Sequence, residues 1–232
     1  MCGRFALTAS PEEVARLFGY LDRPNFPPRE DIRPTEPIGV VVRAEGARRF
    51  RLVRWGFVPA WAKDPAALSL MINARAETAL EKPSFRAAAR HGRCLVPATA
   101  WIEWRRDGAS KTAFRIARRD GGLMAFAGLT ETWAGADGSE IDTAAVLTVD
   151  ANADVAAIHD RMPALIAPEH FAAWLDDPRI DAKAALALAR PAPLDLLEAV
   201  ALAPRAPPPR PPRPARAKAD ATPPPDRQMK LF

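Results

Sequence analysis

At 232 residues and 48% hydrophobic content, the chain can build one sizeable core, and its two cysteines and three histidines (His91, His159, His170) lack the spacing of a disulfide framework or a metal centre. The formal charge of +5 sits at one end: from Pro204 onward seven basic residues face only Asp220 and Asp226, and the remainder balances at 26 basic and 26 acidic. Overall basicity is therefore no argument for a polyanion-binding body, which would need local clustering of arginines. No apolar run suits a membrane span or a signal peptide, so the expectation is a cytoplasmic protein without metal or cofactor.

In chain order, the first distinctive stretch is Met1-Cys2-Gly3-Arg4-Phe5. Initiator Met is normally trimmed ahead of a residue as small as Cys, and trimming would leave Cys2 with a free α-amine beside its thiol. Such an aminothiol traps aldehydes. The amine condenses with the carbonyl to an imine, the thiol adds to the imine carbon, and a five-membered thiazolidine closes.

Ser10-Pro11-Glu12-Glu13 is a capping-box start, and Val14, Leu17 and Phe18 give the helix an apolar stripe before Gly19 ends it. A Pro-rich connection over 25–37 leads to strands at 38–42, 50–58, 93–96, 101–104, 112–117, 123–128 and 144–149, several separated by turn pairs such as Asp107-Gly108 and Gly121-Gly122. Helical patterns recur at 84–90, 168–175 and 181–189. Without a βαβ rhythm, the reading is α+β: a single compact domain, residues 2–203, of curved, mainly antiparallel β-sheets flanked by helices. Residues 204–232 read as a disordered, Pro/Arg-rich tail.

Five motifs occur in a set order: Cys2-Gly3-Arg4-Phe5; Trp55-Gly56-Phe57-Val58-Pro59 with Trp61-Ala62-Lys63; Asn73-Ala74-Arg75-Ala76-Glu77-Thr78; Arg93-Cys94-Leu95-Val96-Pro97 with Glu103-Trp104; and His159-Asp160-Arg161-Met162-Pro163. Together they resemble the SOS-response-associated peptidase (SRAP) family. The resemblance implies a protein that senses abasic sites in single-stranded DNA and crosslinks to them covalently through an N-terminal cysteine. It implies Cys2 as nucleophile, Asn73 as orienter, and Glu103 and His159 as acid/base groups, in a nucleoid-associated monomer with lyase and peptidase activities open.

The residues agree with that implication. A ring-opened abasic deoxyribose presents the aldehyde that an aminothiol captures, and Glu103, flanked by Ile102 and Trp104, is a carboxyl in partly apolar surroundings suited to proton transfer. Arg4, Arg75, Arg86 and Arg161 lie on or beside the motifs as phosphate ligands, while Trp55, Trp61 and Trp101 are base-stacking or core residues. One departure stands out: Asp31-Ile32-Arg33-Pro34 replaces the family's Asn-containing approach to Ala-Pro. Two other readings use the same sequence, an N-terminal-nucleophile peptidase built on Cys2 and His159, and a non-enzymatic adaptor working through the tail. The chain ends Gln228-Met229-Lys230-Leu231-Phe232, which resembles sliding-clamp-binding peptides and makes Gln228, Leu231 and Phe232 candidate clamp contacts.

Overall fold

The protein is seen in a computed structural model that describes residues 2–175 and 180–203. The expectations for the tail, including Gln228, Leu231 and Phe232 and their clamp partner, lie outside the described residues. In chain order the elements are β1 (Phe5–Leu7), α1 (Pro11–Phe18), β2 (Arg29–Ile32), β3 (Pro37–Ala44), β4 (Ala47–Trp55), β5 (Asn73–Arg75), α2 (Arg86–His91), β6 (Arg93–Ala98), β7 (Ala100–Asp107), β8 (Ser110–Arg118), β9 (Met124–Ala134), β10 (Glu140–Asp150), α3 (Ala153–Ala156), β11 (Arg161–Pro163), α4 (Phe171–Leu175), α5 (Ala182–Leu186) and β12 (Leu197–Ala201).

The strands form two sheets. One runs β12-β8-β7-β1-β2; the other runs β11-β10-β4-β3-β6-β9 and closes on itself because β9 also pairs with β10, with β5 attached to β10. Pairing is mostly antiparallel, the exceptions being β4 and β5, which lie parallel to β10. The α+β expectation holds, with helices packed around the sheets.

Aromatic side chains from both sheets meet in the core. Phe5 on β1 lies 5.1 Å from Trp55 on β4 and 6.1 Å from Phe126 on β9, and Trp101 on β7 is 6.0 Å from the same Phe126, all edge-on. Each buried Phe contributes about 1.5–3 kcal/mol by leaving water, so this contact locks the chain start against the closed sheet. The position of Cys2, three residues before Phe5, is a consequence of that packing.

α1 carries the capping box in full: the Glu13 amide donates to Ser10 Oγ at 3.2 Å, the Ser10 amide donates to the Glu13 carboxylate at 2.8 Å, and Gly19 closes the helix at φ 70°. Elsewhere the structure revises the expected boundaries. The strand expected over 50–58 starts at Ala47 and ends at Trp55, because Gly56 turns the chain at φ 141° in a space where a Cβ would lie 2.6 Å from Leu70 Cδ1. The helix expected over 181–189 spans only Ala182–Leu186, and the connection over 25–37 contains β2. β1, β5, β11 and β12 were not expected. Three of these are only three residues long, too short to show a period of two, and exist because a longer strand lies alongside.

Candidate active site

The site forms where the two sheets meet, because short segments of each are pinned to long strands. β1 pairs with β7 in the register Phe5↔Trp101, which brings the chain start alongside Glu103. β5 lies parallel to β10 with Asn73 opposite Val146, and β11 pairs with β10 with Arg161 opposite Asp150. Between them the tight turn over 151–160 is held by Ala151 N–H donating to the Asp160 carbonyl and His159 N–H donating to the Val155 carbonyl. Cys2, Asn73, Glu103 and His159, distant in sequence, thus belong to one region.

Cys2 is fully buried, and its thiol makes a long 3.7 Å hydrogen bond to the Arg4 carbonyl. Burial, and after it the nearby Glu103 carboxylate, pushes the thiol far above its ordinary pKa, so it is held as S–H. Asn73 Nδ2 donates to the Cys2 carbonyl at 2.8 Å, which fixes the peptide following Cys2. Its Oδ1 is buried and has no hydrogen-bond partner among the described residues. A buried acceptor left open beside the chain start is suited to receive an amine or hydroxyl proton.

Glu103 is 3% exposed and stands on β7 two residues after fully buried Trp101, so strand alternation puts both on the inner face. His159 Nδ1 accepts from the Arg161 amide at 3.0 Å and also lies 2.7 Å from Asp160 Oδ1. One nitrogen cannot serve both. The proton placement on the ring decides which of the two it bonds. A cavity of about 520 Å³ is lined by Glu103, Trp104, Arg106, Lys111, Ile158, His159 and Asp160. Cys2 and Asn73 are not among its lining residues.

The arginines expected as phosphate ligands divide. Arg75 is exposed at the end of β5 and Arg86 is exposed at the start of α2, where its side chain makes no hydrogen bond or ion pair among the described residues. Arg4 pairs with Asp31 at 2.6 Å and lies 5.5 Å from the Trp104 ring centre. Arg161 is only 8% exposed: it bonds the Glu77 carboxylate through both terminal nitrogens, Asp150 at 2.5 Å and the Thr148 carbonyl at 2.6 Å, and so forms a buried cross-brace. That network ties the 3-10 turn after β5 to β10 and β11, and hence Asn73 to His159.

Asp31 also explains the departure noted in the sequence. Burial, the largest influence, raises its carboxyl pKa, but the Arg4 and Arg33 guanidinium groups outweigh it and hold the net value below the ordinary range. The replacement therefore anchors Arg4. Among the tryptophans, Trp55 and Trp101 are core, whereas Trp61 is 60% exposed. Arg106 and Lys111 were not singled out in the sequence; their place depends on the β7–β8 register, which pairs Arg106 directly with Lys111.

Comparison with known proteins gives the family. The family model for SOS response associated peptidase (SRAP) matches residues 1–205. The chain belongs to this family. Similar SRAP-related proteins include "Abasic site processing protein YoqW" of Bacillus subtilis, 36% identical over 203 residues covering 86% of this chain and 91% of that one. Another is "Abasic site processing protein YedK" of Escherichia coli, 31% identical over 186 residues, with 75% and 79% covered. A crystal structure of a Bacteroides thetaiotaomicron protein superposes with a TM-score of 0.80 at 25% identity, covering 87% of this chain and 92% of that one. For an SRAP domain, the described residues contain no group of three or more metal-ligating side chains and no helix long and apolar enough to cross a membrane.

Proposed function

We propose that this protein processes abasic sites in single-stranded DNA by forming a covalent thiazolidine through Cys2. The observation that carries the reading is the convergence of a buried Cys2 thiol, the Asn73 amide on its carbonyl, and the Glu103 carboxylate acting on its charge state. Loss of Met1 would free the α-amine. That amine attacks C1′ of the ring-opened deoxyribose, with Asn73 Oδ1 orienting an N–H.

Glu103 as its acid then protonates the carbinolamine oxygen, which departs as water and leaves an iminium. The resulting Glu103 carboxylate takes the proton from the neutral Cys2 thiol as sulfur bonds to the same carbon, and the electron pair of the C=N bond returns to nitrogen. The balance is aldehyde plus aminothiol giving thiazolidine plus one water. A thiol held as S–H is consistent with this order, since the amine reacts first and sulfur needs its proton removed only at closure. His159, lining the same cavity, supplies the polar contact for the sugar hydroxyls.

The test is intact-mass measurement of the purified chain before and after incubation with an abasic oligonucleotide. The expected result is a mature mass lacking Met1 and a one-to-one adduct, shifted by the oligonucleotide minus one water, that survives denaturing electrophoresis. A chain that hydrolyses peptides and forms no adduct would overturn the reading in favour of a peptidase.

A further inference from the structure

Arg106 and Lys111 are directly opposite each other on β7 and β8, and cross-strand pairs of like charge destabilise a sheet. Neither has an ion-pair partner among the described residues. The neighbouring carboxylates are already engaged, Asp107 with Arg105 at 2.9 Å and Asp31 with Arg4 and Arg33. Strand alternation puts Trp104 on the same face as this pair, and its ring lies 4.7 Å from Lys111 Nζ and 5.5 Å from the Arg4 guanidinium. Trp104 thus stacks with Lys111 and with Arg4, which Asp31 also holds.

Arg106, Lys111 and Trp104 line the same 520 Å³ cavity as Glu103, His159 and Asp160. The cavity therefore carries both acid/base groups and positive charge. A purely anionic ligand would meet Glu103 and Asp160, and a neutral sugar would leave the cations unused. A sugar joined to a phosphodiester uses both kinds of group.

We propose that Arg106 and Lys111 form a phosphate subsite for the phosphodiester next to the abasic sugar, with Trp104 holding Lys111 in position. This subsite rests on the abasic-DNA reading of the cavity, and it gives the protein a local grip on the backbone at the reacting nucleotide. Each cation lost from a single-strand contact lowers the salt slope by about 0.7. In Arg106→Gln/Lys111→Gln, the slope of log affinity against log salt should fall by about 1.4, and the half-saturating concentration of abasic oligonucleotide should rise at least about 10-fold. Because two facing like charges are removed, the variant should melt no lower than wild type.

A second arm uses unaltered protein with oligonucleotides carrying a neutral methylphosphonate immediately 5′ or 3′ of the abasic site. Wild type should lose affinity for one of the two, and the double variant should be indifferent to both. Arg106→Lys/Lys111→Gln, which returns one cation to the double variant, should recover about half of the lost salt slope. An unchanged slope in the double variant, or a wild type indifferent to both methylphosphonates, would overturn the subsite while adduct formation by wild type left the main reading standing. Absence of any wild-type adduct would instead overturn the main reading, and the subsite with it.

Discussion

Cys2 and Cys94 are both fully buried free thiols, and burial is the leading cause that raises both far above the ordinary pKa. They differ in their surroundings. Cys94 sits inside β6 with Gly128 opposite, where even a Cβ would lie 2.7 Å from its sulfur, and burial alone accounts for its shift. Cys2 precedes a three-residue strand at the junction of two sheets, feels the Glu103 charge, and has an amide from Asn73 on its carbonyl. Burial makes a thiol inert; under the proposed loss of Met1, a carboxylate within electrostatic reach and an adjacent α-amine would give Cys2 a route to react.

The largest effect that would break this contrast is on the thiols themselves. Cys2→Ser should reduce the stable abasic adduct below detection, because an oxazolidine from a serine hydroxyl is not expected to replace the thiazolidine, whereas Cys94→Ser should crosslink at the wild-type rate. Denaturing gels with a labelled abasic oligonucleotide would report both. Equal adduct yields from the two variants would remove the chemical distinction drawn between the sites.

Next in size is Glu103→Gln, which keeps shape while removing the titrating proton and the charge felt by Cys2. Crosslinking should slow about 100-fold or more, in the range of general acid–base contributions. Alkylation of Cys2 by a small reagent should hold steady or rise, because the lost negative charge was raising the thiol pKa. If both rates fell together, Glu103 would be a support for the fold around Cys2 and its acid/base role would be lost.

The contrast also shows which features can be read from sequence. α1 was legible because Ser10, Glu13 and Gly19 each satisfy a backbone need within one turn. Long strands such as β9 and β10 were legible through their apolar runs, but β1, β5 and β11 were not, since a three-residue strand is defined by its neighbour. At the site, the residue types were legible from ordered motifs, while their roles depended on contacts far apart in sequence. The bonds of Arg161 to Glu77, Asp150 and the Thr148 carbonyl could not be read from its motif. Asp31 looked like a loss until it was found holding Arg4. The Arg106–Lys111 pair required the hairpin register, set by a two-residue turn at Gly108 and Ala109; Asp107-Gly108 marked the turn but not its frame.

The smallest expected effect is a pH dependence of stability. A buried thiol whose folded pKa is raised contributes stability that is complete below its unfolded value, 9.0, and is lost as pH climbs towards the folded value. Tyr20, pushed up to about 12 first by burial and then by Asp22 and Glu12, adds a loss of the same sign beginning near 10. The acid side runs oppositely: Asp31 and Glu77, both held low by arginines that outweigh burial, contribute stability above their ordinary range that disappears as pH falls. Between neutrality and pH 10 each buried thiol should cost about 1 kcal/mol of stability, equivalent to roughly 2–4 °C in a domain of this size. Cys94→Ala should melt lower than wild type at neutral pH, because a core atom is removed, yet lose about one thiol's share less on going to pH 10. Thermal melts at the two pH values decide it: a parallel drop in both proteins would show that Cys94 does not resist ionisation in the folded state, and that the two cysteines differ in burial after all.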